Sequence, residues 1–329
     1  MSGQQPLATP RAARWRGLLG VLVPLGVLAG VYLGFALQTP QMFKPRVIEG
    51  MVIQTVIVGT AAVGMTLVII AGGIDLSVGS IIAFSSVAGA MFMARLGVPA
   101  GWAVLLAVGA GAACGLCNGA IVTGGRIVPF IVTLGTMMVF RGAAKGLADS
   151  APVDISDRWI GDFMRSLPPE QWWKLLPPGG WAMVLLAAAF WAMLRYTRLG
   201  RHAVAVGSNE QTARLCGVAV ARVKLCVYAL GGACAGLSGV MLLSRQGQGD
   251  PTAAVGYELY VIAAVVIGGG SLSGGSGSVL GTIVGALIMT VIRAGCNFRG
   301  LQPWVTEVVT GAILVAAVAL DRLRHRDGR

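Results

Sequence analysis

Charge is what this sequence has least of. Of its 329 residues 12% are charged, where an ordinary globular domain carries roughly 25%. Lysine occurs only as Lys44, Lys145, Lys174 and Lys224, and none of these follows a glycine. A loop of the form G-x-x-x-x-G-K-[ST], whose amides and lysine cradle nucleotide phosphates, is therefore not encoded. Histidine occurs only as His202 and His325, both in polar segments. A hydrolase working inside a membrane needs a histidine at the depth of its serine to take the proton, so the G-x-S-G run at Gly236–Gly239 lacks its base. Ser238 reads better as part of a small-residue packing face with Gly231, Gly232, Ala235, Gly236 and Gly239. Proton- and ion-coupled carriers keep acids or histidines within their helices, because ionisable groups there are expensive and held for function. Here the apolar segments are almost bare: Arg141 and Lys145 are placed to snorkel near an outer helix end, and Glu258 and Glu307 lie toward outer ends.

What is abundant is apolar sequence, 56% of the chain. Runs of about 20 residues, enough to cross a ~30 Å hydrocarbon core, recur from end to end. The expectation is an all-α integral membrane protein, a bundle of ten transmembrane helices: residues 17–37, 50–72, 76–94, 99–122, 127–148, 180–194, 223–243, 256–270, 277–292 and 303–320. The first follows Arg11, Arg14 and Arg16 like a secretory signal, but its length and lack of a small-x-small cleavage site mark a retained helix. The chain divides into an N-terminal tail (1–16), one transmembrane domain (17–320) and a basic tail (321–329). With the N-terminus inside, the inner segments hold 14 of the 25 Lys+Arg and 4 of the 13 Asp+Glu. That is the positive-inside bias, and it places both termini in the cytoplasm. The net charge of +12 thus calls for membrane lipid or a cytoplasmic partner along the inner face and for no nucleic acid.

The six cysteines lie in or beside apolar segments, and the lone C-x-x-C, Cys114 with Cys117, has no second pair and no nearby histidine. Small packing residues are the expectation, with no metal, disulfide or cofactor. With neither an engine nor a relay in the chain, either solute flows passively or a partner supplies the energy. The candidate docking surface is the inner loop 196–222, too polar to span. Within it Ser208–Leu215 reads as a short helix: Ser208 or Asn209 caps it, Glu210 opens it, Arg214 closes it and Gly217 stops it. Ala213 and Leu215 offer an apolar ridge to a groove in another protein. The bland alternative is a connector.

Asp75 is the one charged residue between Met51 and Met93, in the stretch IIAGGIDLSVGSIIAF. The apolar runs on either side are each long enough to cross, which puts Gly72, Gly73, Asp75 and Ser77 at the inner membrane face. Asp75 or Ser77 then accepts the first free amides of the following helix, where the dipole favours a carboxylate. A second turn, GGGSLSGGSG at Gly268–Gly277 with Gly269 and Gly270, repeats the pattern without an acid and falls on the same side. A helix cap explains Asp75 alone; two like turns on one face also suit hinges bordering an inner gate. For a neutral polar solute, path residues would be uncharged donors with an aromatic face: Asn118, Thr133 and Thr136, with Phe130, Phe140 and Arg141 nearby. Thr133 and Thr136 share a helix face, although threonine in membrane helices commonly bonds back to its own backbone. The outer loop 149–179 mixes Asp149, Asp154, Asp157, Asp162 and Glu170 with Arg158, Arg165, Lys174, Trp159, Trp172 and Trp173. It suits either a docking receptor or an interfacial aromatic anchor.

Five segments in order, GMTLVIIAGGIDLSVGSIIAFSS (Gly64–Ser86), GLCNGAIV (Gly115–Val122), PFIVTLGTMMVFRG (Pro129–Gly142), AVGSNEQTARLCGVAVARVKLCVYALGGACAGLSGV (Ala205–Val240) and AAVVIGGGSLSGGSGSVLGTIVGALI (Ala263–Ile288), carry a resemblance. The chain resembles the permease subunits of ribose-type monosaccharide ABC importers over roughly Pro45–Leu320. The resemblance implies a transport subunit rather than an enzyme, in a bacterial inner membrane, paired with a second copy. It also implies a cytoplasmic ATPase with two cassettes, which binds the ATP and Mg, and a periplasmic sugar-binding protein. Gly207–Gly217 matches the family's ATPase-docking segment. The related permeases for branched-chain amino acids are the nearest alternative.

Overall fold

Hydrocarbon offers the backbone no hydrogen-bond partner, so a chain immersed in it closes its own bonds as helices. The computed structural model describes residues 10–168, 170 and 175–326. Among them lie α1 (Pro10–Ala36), α2 (Pro45–Ile70), α3 (Val78–Ala94), α4 (Ala100–Gly125), α5 (Pro129–Leu147), α6 (Arg158–Phe163) and α7 (Pro178–Tyr196). They continue as α8 (Arg198–Ser208), α9 (Glu210–Leu215), α10 (Val220–Gln246), α11 (Tyr257–Ile267), α12 (Val279–Phe298) and α13 (Pro303–Arg326). Two short strands, β1 (Val153–Asp154) and β2 (Gln248–Gly249), pair antiparallel with Val153 opposite Gly249. Proline opens α2, α5, α7 and α13, a position where its missing N–H is not needed.

The ten apolar helices coincide with the ten expected crossings: six are long enough to cross a membrane, and Leu22–Ala36, Val78–Ala94, Tyr257–Ile267 and Pro303–Ala319 are shorter. The eighth needs correction. Residues 256–270 do not form a crossing helix, because α11 has 11 residues, about 16 Å at 1.5 Å per residue, half the core thickness. Between β2 and α11 the chain is a run of turns.

α2 is the central helix, with 94% of its apolar window buried, whereas α4, α5 and α7 bury about a third or less of theirs. α10 packs on α2, α3 and α4. Its seam with α4 is built from glycine on both sides. A Cβ at Gly111 would sit 2.5 Å from the Gly232 carbonyl oxygen and 2.7 Å from the Gly236 Cα, and one at Gly115 would overlap the Tyr228 carbonyl. The spacing Gly111, Gly115, Gly119 against Gly232, Gly236 is the small-xxx-small pattern that lets backbones touch. The packing face expected around Ser238 is therefore real, and Ser238 itself is buried, its hydroxyl donating to the Ile57 carbonyl at 2.7 Å.

The loop 149–179 carries β1 and α6, the latter capped by Asp157 accepting from the Ile160 amide at 3.1 Å. It is tied to the helices by the Met164 amide donating to Ser244 Oγ at 2.9 Å and the Leu167 amide to Glu49 Oε1 at 2.8 Å. Trp172, Trp173 and Lys174 lie outside the described residues, as do the side chains of Arg11, Arg14, Arg16 and His325.

Valine at Gly115 has to push α4 off the Tyr228 carbonyl. Overpacking of this kind costs about 1–3 kcal/mol, and the expected result is a clearly lowered midpoint for thermal unfolding in detergent. Gly109→Val, with nothing within 4 Å of the new Cβ, should stay within about 0.5 kcal/mol of the parent. Equal midpoints for the two variants would refute the seam.

Candidate functional site at the basic end of the bundle

The segment between α7 and α10 folds as two helices. Thr197 caps α8 by accepting from the Gly200 amide at 3.2 Å, and Asn209 caps α9 by accepting from the Thr212 amide at 2.9 Å. Glu210 then opens α9, its carboxylate paired with Arg214 at 3.0 Å and Lys224 at 2.7 Å, and Gly217 ends the turn at φ 82°. Ser208 closes α8, its hydroxyl donating to the Val204 carbonyl. The expected ridge is corrected: Ala213 is 4% exposed and Leu215 is 89% exposed, because residues two apart point away from each other on a helix. Of the two, Leu215 faces outward.

These helices sit where α2 ends. The Gly275 amide donates to the Ile70 carbonyl at 2.8 Å. Gly207 lies against the same carbonyl so closely that a Cβ there would overlap it, and a Cβ at Gly274 would fall 2.6 Å from the Gly207 oxygen. Gly72, at φ 77°, has its missing Cβ position 3.6 Å from the Gly207 Cα. Both glycine turns thus meet α8 and its junction with α2, through Gly72 from one and Gly274 and Gly275 from the other. Gly268 packs on the Gly281 backbone and Gly270 on Val265, while Gly269 at φ 90° has open space around it. The residues that make the second contact were in the motif but were not singled out. This end also carries Arg126, Arg195, Arg198, Arg201 and Arg222, and is called the basic end below.

Asp75 is 4% exposed. Its Oδ1 accepts from the Ser77 amide at 2.8 Å and the Ser77 hydroxyl at 2.6 Å, and Asn118 Nδ2 lies 3.4 Å from both carboxylate oxygens and donates to Ser77 Oγ at 2.8 Å. Thr133 Oγ1 donates to the Ile74 carbonyl at 3.1 Å. The turn is therefore pinned to α4 by Asn118 and to α5 by Thr133. A Cβ at Gly73 would stand 2.6 Å from the Tyr228 hydroxyl, so the third wall is α10. Asn118 and Thr133 are fully buried, Thr136 bonds back to the Thr133 carbonyl at 3.3 Å, Phe140 is buried and Phe130 is half-exposed. The candidate path residues thus do not form one surface. Arg141 is held elsewhere, donating to the Pro251 carbonyl at 3.0 Å and the Ala253 carbonyl at 2.5 Å.

A groove of about 700 Å³ opens beside α9, lined by Arg126, Pro129, Glu210, Arg214, Arg222 and Lys224 among others. The salt bridges of Glu210 hold its carboxyl below the usual range, the Lys224 bond first.

A bundle of ten apolar helices that gathers two glycine turns against a pair of polar helices has the build of a multi-pass membrane protein. The family described as branched-chain amino acid transport system / permease component matches residues 47–318, and the chain belongs to it. The ribose import permease of Escherichia coli (strain K12) is 35% identical over 99% of this chain and 98% of its own. That of Bacillus subtilis (strain 168) is 39% identical over 92% and 94%, and the L-arabinose ABC transporter permease of Azospirillum brasilense 34% over 98% and 95%. No solved structure matches. The chain is a multi-pass membrane protein.

Because the folded Glu210 carboxyl titrates below its unfolded value of about 4.3, its contribution is present above that pH and is lost as pH falls through the lower folded value. Amide exchange in α9, corrected for the intrinsic rate, should be flat from pH 7 to 5 and rise below pH 4 or so. Glu210→Gln should abolish that rise; an unchanged profile in the variant would contradict the assignment.

Proposed function

We propose that this chain is the membrane-spanning subunit of an ATP-driven importer for a monosaccharide of the ribose or arabinose type. The observation that carries the reading is the backbone junction of Ile70, Gly207 and Gly275, which links the docking helices directly to the buried end of α2. The names of the full-length relatives support the sugar class. In this reading α8 and α9 face the cytoplasm, where an ATPase with two cassettes binds ATP and Mg and presses on Leu215 and its surroundings. A periplasmic binding protein delivers sugar to the opposite end, and a second copy completes the path. Both termini are cytoplasmic, in a bacterial inner membrane, and anionic lipid meets the basic end.

The second reading is a permease for branched-chain amino acids, favoured by the wording of the family description. It separates from the first at the receptor: the cognate binding protein takes amino acids rather than sugars. Hydrolysis by Ser238 has no support, since its hydroxyl is spent on the Ile57 carbonyl.

Gly207→Val drives a side chain into the Ile70 carbonyl. In proteoliposomes with the cognate ATPase and receptor, monosaccharide uptake should fall at least about tenfold, equivalent to ~1.4 kcal/mol, while ATP hydrolysis persists. Full uptake in this variant would remove the junction from the mechanism. Amino-acid uptake with no sugar uptake in the parent complex would decide for the second reading.

A further inference from the structure

After β2 the chain enters the bundle without forming a helix. Gly249 lies against Ser86, Val87 and Ala90 of α3, whereas the Ala254 carbonyl and Glu258 lie against Gly79. Ala90 and Gly79 are about 16 Å apart along α3 at 1.5 Å per residue, so residues 250–256 descend through the depth of the bundle as irregular backbone. Ala254 takes φ 57° and Gly256 φ 80° before α11 begins. Among the described residues the amides of Ala254 and Val255 and the carbonyls of Thr252 and Val255 have no protein hydrogen-bond partner. Thr252 is exposed and Val255 is 71% exposed. Unpaired backbone groups cost several kcal/mol each in hydrocarbon, and non-helical chain at membrane depth is tolerated only where protein buries it or water reaches it.

The charges point the same way. In spans that are otherwise almost bare, Arg141, Asp250 and Glu258 are gathered here. Arg141 interacts electrostatically with both acids, and the Glu258 carboxylate lies against Gly79 of α3. Intramembrane ionisable groups face a bundle interior or a water-filled cavity. We infer that Asp250–Gly256 and the first turn of α11 form a wall of the aqueous path through the protein, with Thr252, Val255 and Glu258 facing the passing solute. Arg141 is the positioning residue: its two bonds to the Pro251 and Ala253 carbonyls tie the segment to α5. That the solute is a sugar rests on the transport reading above; that this wall is wet rests on its backbone.

The test is thiol accessibility in the full-length chain, reconstituted in liposomes with its six native cysteines replaced by alanine or serine. Thr252→Cys and Val255→Cys are compared with Leu185→Cys, an exposed residue well inside α7. The probe is a charged, membrane-impermeant methanethiosulfonate. The cysteine thiolate, which water supports and hydrocarbon does not, attacks the sulfur of such a reagent and expels methanesulfinate to leave a mixed disulfide, so positions 252 and 255 should react at least about tenfold faster than position 185. Rates no faster than that of position 185 would overturn the inference, as would dry self-cross-linking of position 255 to a second copy without labelling. Arg141→Met should alter the labelling rates at 252 and 255, and Arg141→Lys should restore them; unchanged rates in Arg141→Met would remove its positioning role. The measurement uses no sugar and no ATPase, so failure of sugar uptake in the parent complex would sink the transport reading and leave this one standing.

Discussion

The constraint behind this structure is that a backbone amide in hydrocarbon has only the protein to bond to. Helices meet it outright, and once they do, nothing hydrophobic drives one helix onto another, since lipid is as apolar as leucine. Association must come from close contact. That is why α10 and α4 face each other through Gly111, Gly115, Gly232 and Gly236, where any side chain would meet backbone. The same constraint makes the segment 250–256 informative, because it breaks the rule at depth.

At the basic end the contact is tighter still, and its consequence is mechanical. Side chains can change rotamer to absorb a displacement, but a carbonyl resting on an α-carbon cannot. Gly207 against the Ile70 carbonyl, with the Gly275 amide bonded to the same oxygen, therefore ties α8, α2 and the turn before α12 into one rigid node. α9 begins at Glu210, three residues past this node.

The ten apolar helices were legible because length and hydropathy are what the membrane selects for, and the α9 cap was legible because Asn209, Glu210 and Gly217 satisfy local rules. α8 was missed. Its sequence RLGRHAVAVGS is polar overall yet buries Gly200, Ala203 and Val206 on one side, a periodicity that a search for crossings passes over. The eighth helix was overextended because the run from Gly256 to Gly270 is apolar apart from Glu258, and composition does not record where hydrogen bonding stops. Arg141 and Glu258 were read as groups near helix ends; their proximity depends on a descent of the chain that no local signal announces. The meeting of Gly72 with Gly207 is equally non-local, although two glycine turns on one face hinted at it.

Asp75 belongs to the same mechanical argument. A carboxylate buried in a turn could have been the weak point of the fold, but here it organises its neighbours: Ser77 donates twice to it, and Asn118 bridges it to Ser77. With Thr133 bonded to the Ile74 carbonyl, the turn is fastened to α4 and α5. Gly72, three residues earlier, faces the node at Gly207. Residues 71–77 thus run from α8, which Gly72 faces at Gly207, past α5, where Thr133 bonds Ile74, to α4, where Asn118 bonds Ser77; α5 also carries Arg141. That arginine in turn bonds the Pro251 and Ala253 carbonyls of the segment 250–256. These fastenings are side-chain hydrogen bonds, buried between Asn118 and Ser77 and part-buried at Thr133 and Arg141, so they can yield by a change of rotamer where the Gly207 junction cannot.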